Sequence, residues 1–258
     1  MEDQNARWWL PGPPPPRRLI PLNPVKEENV NYGMNIPIHH MRISLSNLGE
    51  TLDLYAKQLD KTASASGTKP VFHGCGTSIT PEVIASFAQR GPSIQYSRGR
   101  GYFSTNPAVY WSSTLRFAVG WCFFTQTGSW ELKSEAKGKP RSFLIYVSLV
   151  DFASTPFEGG LYMVVKPQTR RDEDELSNWC TSNMVATQDG NTGKRLPPPG
   201  STRSDWGVIG SRIPLETWRS LKAFERCIDQ VWMYAACSEM NSRFMAEAGV
   251  EILLLTVQ

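Results

Sequence analysis

Apolar residues recur at Leu45, Leu48, Leu52, Tyr55 and Leu59, in steps of three and four. That spacing predicts a helix over residues 44–61 with one apolar stripe, and Gly49 is its weak position. Small residues fill 61–69 and predict a loop. Pro70 to Phe72 is a short apolar, β-prone run that breaks off in His73-Gly74-Cys75-Gly76. Glycine lets a backbone turn or approach a ligand closely, so the strand is expected to end with His73 at the mouth of a sheet. Thr80-Pro81-Glu82 combines an N-cap, a proline at the first helical position and an early acid. It predicts a helix to Gln89, stopped by Gly91-Pro92.

Gly99-Arg100-Gly101-Tyr102-Phe103-Ser104-Thr105-Asn106 predicts a second, glycine-punctuated aromatic strand, facing His73 across a cleft. Residues 108–124 then predict an apolar helix entered through Asn106-Pro107. Residues 143–150 predict a strand with 161–165 as its partner, 170–179 a short solvated helix, and 187–204 a surface loop. Strands are expected at 206–209, 227–234 and 250–257, with a Ser238-capped helix to Ala248 before the last. Strands and helices mingle without regular βαβ alternation, which predicts an α+β fold.

A chain of 258 residues with 40% hydrophobic and 20% charged residues can bury a sizeable core. Residues 7–24 hold seven prolines, four of them consecutive at 13–16. Such a stretch favours polyproline II and cannot enter a helix or central strand. The expected organisation is a proline-rich arm over 1–42 and a catalytic domain over 43–258. Pro13 to Arg18 also fits the basic-tailed ligand of an SH3-type partner.

The net charge of +3 is too small to argue for a nucleic-acid partner. Five scattered cysteines without a Cys-x-x-Cys pair predict free thiols in a reducing compartment. Three histidines, His39, His40 and His73, leave little material for a histidine-rich metal centre, so no metal is expected. No run approaches the roughly 20 apolar residues of a membrane span, and the start lacks a signal-peptide pattern. A cytoplasmic protein without a membrane partner is the expectation. A phosphate-binding Gly-x-x-x-x-Gly-Lys loop and a Gly-x-Ser-x-Gly elbow are both missing from the sequence. Cys75 beside His73 has no Asn or Asp at a recognisable spacing to complete a thiol triad.

Phe72-His73-Gly74, followed by Gly101-Tyr102-Phe103-Ser104-Thr105-Asn106 and an apolar segment to Trp121, resembles the first two motifs of the ADP-ribosyltransferase superfamily. The likeness is to its poly(ADP-ribose) polymerase and diphtheria-toxin-like branch, over roughly residues 70–257. It implies a split β-sheet core with flanking helices, two small sheets splayed apart, and NAD as substrate across the split. His73, ending a central strand, would bond the adenosine ribose, and the Gly74 backbone would grip the nicotinamide carboxamide. The stacking tyrosine falls on Tyr102 when the Tyr-Phe pair is matched and on Phe103 when the count starts at Gly101. Tyr110 would supply a second aromatic wall, with Ser104, Ser112 or Ser113 giving a hydroxyl. Trp111 reads as core packing.

The family's third residue, on a late strand, is sought in Asp229-Gln230-Val231, with Gln230 first and Glu225 and Asp229 as alternatives. Glutamine can hold a ribose hydroxyl but carries no charge, so it stabilises an oxocarbenium ion less than a carboxylate does. Mono-ADP-ribosylation of a protein side chain, or NAD hydrolysis, is then the implied activity. The other reading is an inactive binding module on the same scaffold, recruiting a partner through its proline-rich arm.

Overall fold

In a computed structural model the described residues are 36–75, 79–97, 101–127, 141–185, 195–214 and 231–257. The strands are β1 (Ile38–Ile43), β2 (Lys69–Gly74), β3 (Val109–Ser112), β4 (Arg141–Val150), β5 (Leu161–Met163), β6 (Val208–Arg212), β7 (Trp232–Ala236) and β8 (Gly249–Val257). The helices are α1 (Leu48–Ser66), α2 (Pro81–Arg90), α3 (Leu115–Thr127), α4 (Arg170–Val185) and α5 (Glu239–Glu247).

The strands form one mixed sheet in the order β1-β8-β4-β2-β3-β7-β6-β5. The outer pairs β1–β8 and β5–β6 run parallel, and the inner pairs are antiparallel. β2 pairs with β4 along all six of its residues, Lys69↔Val150 to Gly74↔Ile145. With β3 it registers at one position, Phe72↔Ser112. Where two splayed sheets were expected there is one continuous sheet, its two four-stranded halves in register at a single rung with β2 at the seam. Side chains alternate across a strand, and the core divides accordingly. Val71, Trp111 and Tyr146 pack on the face covered by α2 and α5. Phe72, Phe143 and Ile145 pack against α1 and α3 on the other face, where α4 covers the second half-sheet through Leu176, Trp179 and Cys180.

Several elements depart from the sequence reading. α1 runs on through 61–66, where a loop was expected. Alanine has the highest helix propensity, Ala63 is buried, and Gly67, at φ 72°, ends the helix in the left-handed region. The segment 109–112 is a strand and the helix begins at Leu115, because Val109-Tyr110-Trp111 is β-branched and aromatic and Ser112 closes a turn with Thr114. Tyr102 and Phe103 sit in a turn closed by a Gly101↔Ser104 bridge instead of a strand. The partner of β5 is β6, not β4. α4 extends to Val185 and buries Leu176, Cys180 and Asn183, so it is only half solvated. β1 falls inside the stretch assigned to the proline-rich arm and is a member of the sheet. The α2 and α5 starts match their caps: Thr80 Oγ1 accepts from Val83 N at 3.4 Å and Ser238 Oγ from Asn241 N at 3.2 Å.

Candidate functional site

The seam between β2 and β3 is where chemistry-bearing residues meet. His73 sits one residue from the end of β2, and its Nδ1 bonds the Tyr110 carbonyl oxygen at 2.8 Å, across the seam. A carbonyl only accepts, so Nδ1 carries the proton and Nε2 keeps the lone pair. The ring lies 5.9 Å from Phe87, stacked at 26°, and 5.6 Å from Trp111, tilted at 56°. Desolvation by burial lowers the His73 pKa to about 4, against the opposing pull of the Tyr110 carbonyl. At neutral pH His73 is therefore an uncharged imidazole presenting an acceptor, in a residue that is half-buried.

Gly74 faces the other way. A β-carbon there would stand 2.5 Å from the Ala118 carbonyl oxygen and 2.8 Å from Cys122 Sγ, so only glycine lets α3 close on this strand end. Cys75 N–H bonds the Leu144 carbonyl at 2.9 Å. Amide directions alternate along an antiparallel strand, which turns the N–H and C=O of Gly74 toward β3, beyond the last registered rung. An amide donor and an amide acceptor in fixed geometry thus open onto the seam. Gly74→Ala is expected to cost about 1–3 kcal/mol through overpacking, read as a lowered unfolding midpoint in urea. Gly49→Ala is the control, since its β-carbon would meet only the flexible Arg116 guanidinium, 3.2 Å away. Equal midpoints for the two variants would contradict the close approach at Gly74.

Tyr102 does not face His73. It packs with Phe103, Trp179 and Cys180 on the α3/α4 face, while His73 shares the α2/α5 face with Trp111 and Phe87. The Tyr102 carbonyl accepts from Asn183 Nδ2 at 3.0 Å, and burial raises its phenol pKa. Phe103 stacks on Trp179 at 5.5 Å and 11° and is buried as well. The expected cleft between His73 and Tyr102 is filled by packed side chains and the sheet itself. The aromatic brought to the seam is Tyr110, a position the sequence reading put on a helix. Its backbone holds His73, and its ring lies on the Gly74 side of the sheet, against Gly101. The Tyr110 hydroxyl accepts from Phe103 N at 3.1 Å, and burial keeps its pKa raised.

The candidate hydroxyls are engaged in local structure. Ser104 is buried and accepts from Asn106 N at 3.2 Å. Ser112 Oγ donates to the Thr114 carbonyl at 3.0 Å, and Ser113 Oγ accepts from Trp232 N at 2.9 Å, tying β3 to β7. Gln230, Glu225 and Asp229 lie outside the described residues, as do the proline-rich segment 13–18 and Cys227. The described chain resumes at the buried Val231, and β7 then runs beside β3 with Tyr110↔Ala235 in register.

Cys75, Cys122, Cys180 and Cys237 are buried and form no disulfide among the described residues. Burial pushes the Cys122 and Cys180 thiols well above their ordinary value and Cys237 to about 11. Thiols held protonated in this way are poor nucleophiles. Among the described residues no group of three or more His, Cys, Asp or Glu is placed to hold a metal ion, and no helix is long and apolar enough to cross a membrane. Comparison with known protein families, curated proteins and solved structures returns no match to this chain.

Proposed function

We propose that the protein is an NAD-dependent ADP-ribosyltransferase-like enzyme, cleaving the nicotinamide–ribose bond and passing ADP-ribose to a protein side chain or to water. The observation that carries this reading is the seam. His73-Gly74 ends a central strand where two half-sheets are joined by one rung, Phe72↔Ser112. A dinucleotide lying across the seam meets an uncharged imidazole on one face and, between the strands, the Gly74 amide turned toward β3. His73 Nε2 accepts from a hydroxyl of the adenosine ribose, and Gly74 supplies the donor and acceptor that match a carboxamide. The tyrosine role passes from Tyr102 to Tyr110, which lies on the Gly74 side of β3. Gln230 remains the candidate for the third residue, with Glu225 and Asp229 behind it.

Cleavage on this reading is dissociative. The bonding pair of the glycosidic bond leaves with nicotinamide, an oxocarbenium ion forms at the ribose, and the acceptor's lone pair closes it as the acceptor loses its proton. A neutral glutamine holds the ribose without supplying a counter-charge. It cannot serve as a general base, which favours single transfer or hydrolysis over polymer synthesis.

The test is to incubate the purified protein with NAD and follow nicotinamide release and transfer of labelled ADP-ribose. The wild type is expected to release nicotinamide above the buffer rate, and His73→Ala to lower that rate about tenfold or more. A wild type that binds NAD without releasing nicotinamide would make the chain a binding module instead. Equal rates for wild type and His73→Ala would remove His73 from the site.

A further inference from the structure

Trp111 is fully buried, yet its Nε1–H has no hydrogen-bond partner among the described residues. A buried donor left unmatched costs roughly 1–3 kcal/mol, so such groups are rare and call for an explanation. Its neighbours supply one. The Phe72↔Ser112 rung sets His73 opposite Trp111 on the same face of the sheet. The two rings lie 5.6 Å apart, tilted at 56°. His73 has its Nδ1 proton committed to the Tyr110 carbonyl, so Nε2 offers only a lone pair. One wall of this spot therefore accepts and the other donates. A hydroxyl group does both at once: it gives its proton to an acceptor and takes one from a donor. A carboxylate or a carbonyl lacks the proton for Nε2, and an ammonium lacks the lone pair for Nε1–H.

We propose that Trp111 is a ligand-binding residue, its indole N–H donating to the same sugar hydroxyl that donates to His73 Nε2. This rests on the NAD reading above and deepens it, because it fixes the ribose by two side chains on facing strands and gives Trp111 a role beyond packing. His73 is only half-buried, and entry is on its side. Phe87, stacked on the imidazole at 5.9 Å from α2 and itself only partly buried, is the ring that gives way. The competing account is purely internal: Trp111 and Tyr146 pack at right angles, 5.9 Å and 81°, and aromatic packing alone holds the indole.

Calorimetric binding of ADP-ribose, of its analogues lacking the 2′- or the 3′-hydroxyl of the adenosine ribose, and of nicotinamide separates the accounts. Trp111→Phe is expected to weaken ADP-ribose about five- to tenfold and to leave nicotinamide binding unchanged. For the one analogue that lacks the contacted hydroxyl, the loss should shrink below about twofold. Equal losses for all three nucleotides, or no loss, overturn the proposal and leave Trp111 as core while the NAD reading stands. A wild type that binds none of the nucleotides overturns both. If Trp111→Phe does not fold, benzothienylalanine at the same position replaces the N–H by sulfur at nearly constant volume, and the same comparison applies.

Discussion

Replacing Arg212 by alanine is expected to destabilise the protein by about 3–5 kcal/mol, the usual cost of breaking a buried ion pair from one side. The Arg212 side chain is 4% exposed and its guanidinium pairs with Glu173, which is 19% exposed. Arg212 ends β6 opposite Trp232, the first residue of β7, and Glu173 lies in the first turn of α4. The pair thus pins α4 to the second half-sheet where β7 starts, next in the chain to the stretch carrying Gln230. Alanine leaves a carboxylate facing a cavity. Glu173→Gln should be milder, since an amide oxygen still accepts from the guanidinium. Replacing both partners, Arg212→Met with Glu173→Leu, should recover most of the loss, because well-packed apolar groups substitute for a buried pair at little cost. Thermal unfolding reads the single change as a fall on the order of 10 °C for a domain of this size. A loss under about 1 kcal/mol would mean that the pair is as weak as an exposed one.

The second large effect is the dependence of stability on pH through His73. Its pKa in the folded protein is lowered to about 4, below the ordinary 6.5, because burial desolvates the ring. As pH falls below about 6.5, the unfolded chain takes up a proton that the folded protein refuses. Stability contributed by the neutral ring is whole above 6.5, is lost as pH drops toward 4, and is level below that. The gap amounts to about 3 kcal/mol. Urea unfolding of wild type and His73→Asn from pH 7.5 to 4 should give curves that converge as pH falls, the wild type losing the larger share. Asp151, Asp172 and Asp205 have lowered pKa values through hydrogen bonds to their carboxylates. They act in the same direction but below the ordinary carboxylate range, so the interval from 6.5 to about 4.5 belongs to His73. Parallel curves over that interval would show the imidazole to be solvated.

Local signals carried much of the secondary structure. The cap at Thr80-Pro81 and the cap at Ser238 are short-range chemistry, a side-chain oxygen accepting from an amide three residues on, and both helices start there. The 108–124 segment misleads because its apolar density fits a helix or a buried strand equally. Ser112 and Thr114 break it into one of each through a hydrogen bond that depends on side-chain direction. The 161–165 strand is assigned to 143–150 because that is the strand before it in the chain, whereas its register with 208–210 joins residues nearly fifty positions apart, a pairing that no local pattern encodes.

At the site, His73-Gly74 was visible as a motif, and glycine's need was legible as a turn. That Gly74 is instead required by a helix 2.5 Å away belongs to packing. The motif offers Tyr102 through the Tyr-Phe pair and Phe103 through the count from Gly101, and adjacency in sequence says nothing about which ring lies beside His73. The sequence by itself determined a mixed α+β chain whose first expected strand stops at a histidine and a glycine. Only the tertiary structure decided that this strand end faces a seam bridged by the Tyr110 carbonyl, and that His73 and Tyr102 lie on opposite faces. The reason is physical: strand period fixes which residues share a side, but which strands become neighbours, and where their ladder stops, is set by long-range burial that no short stretch contains.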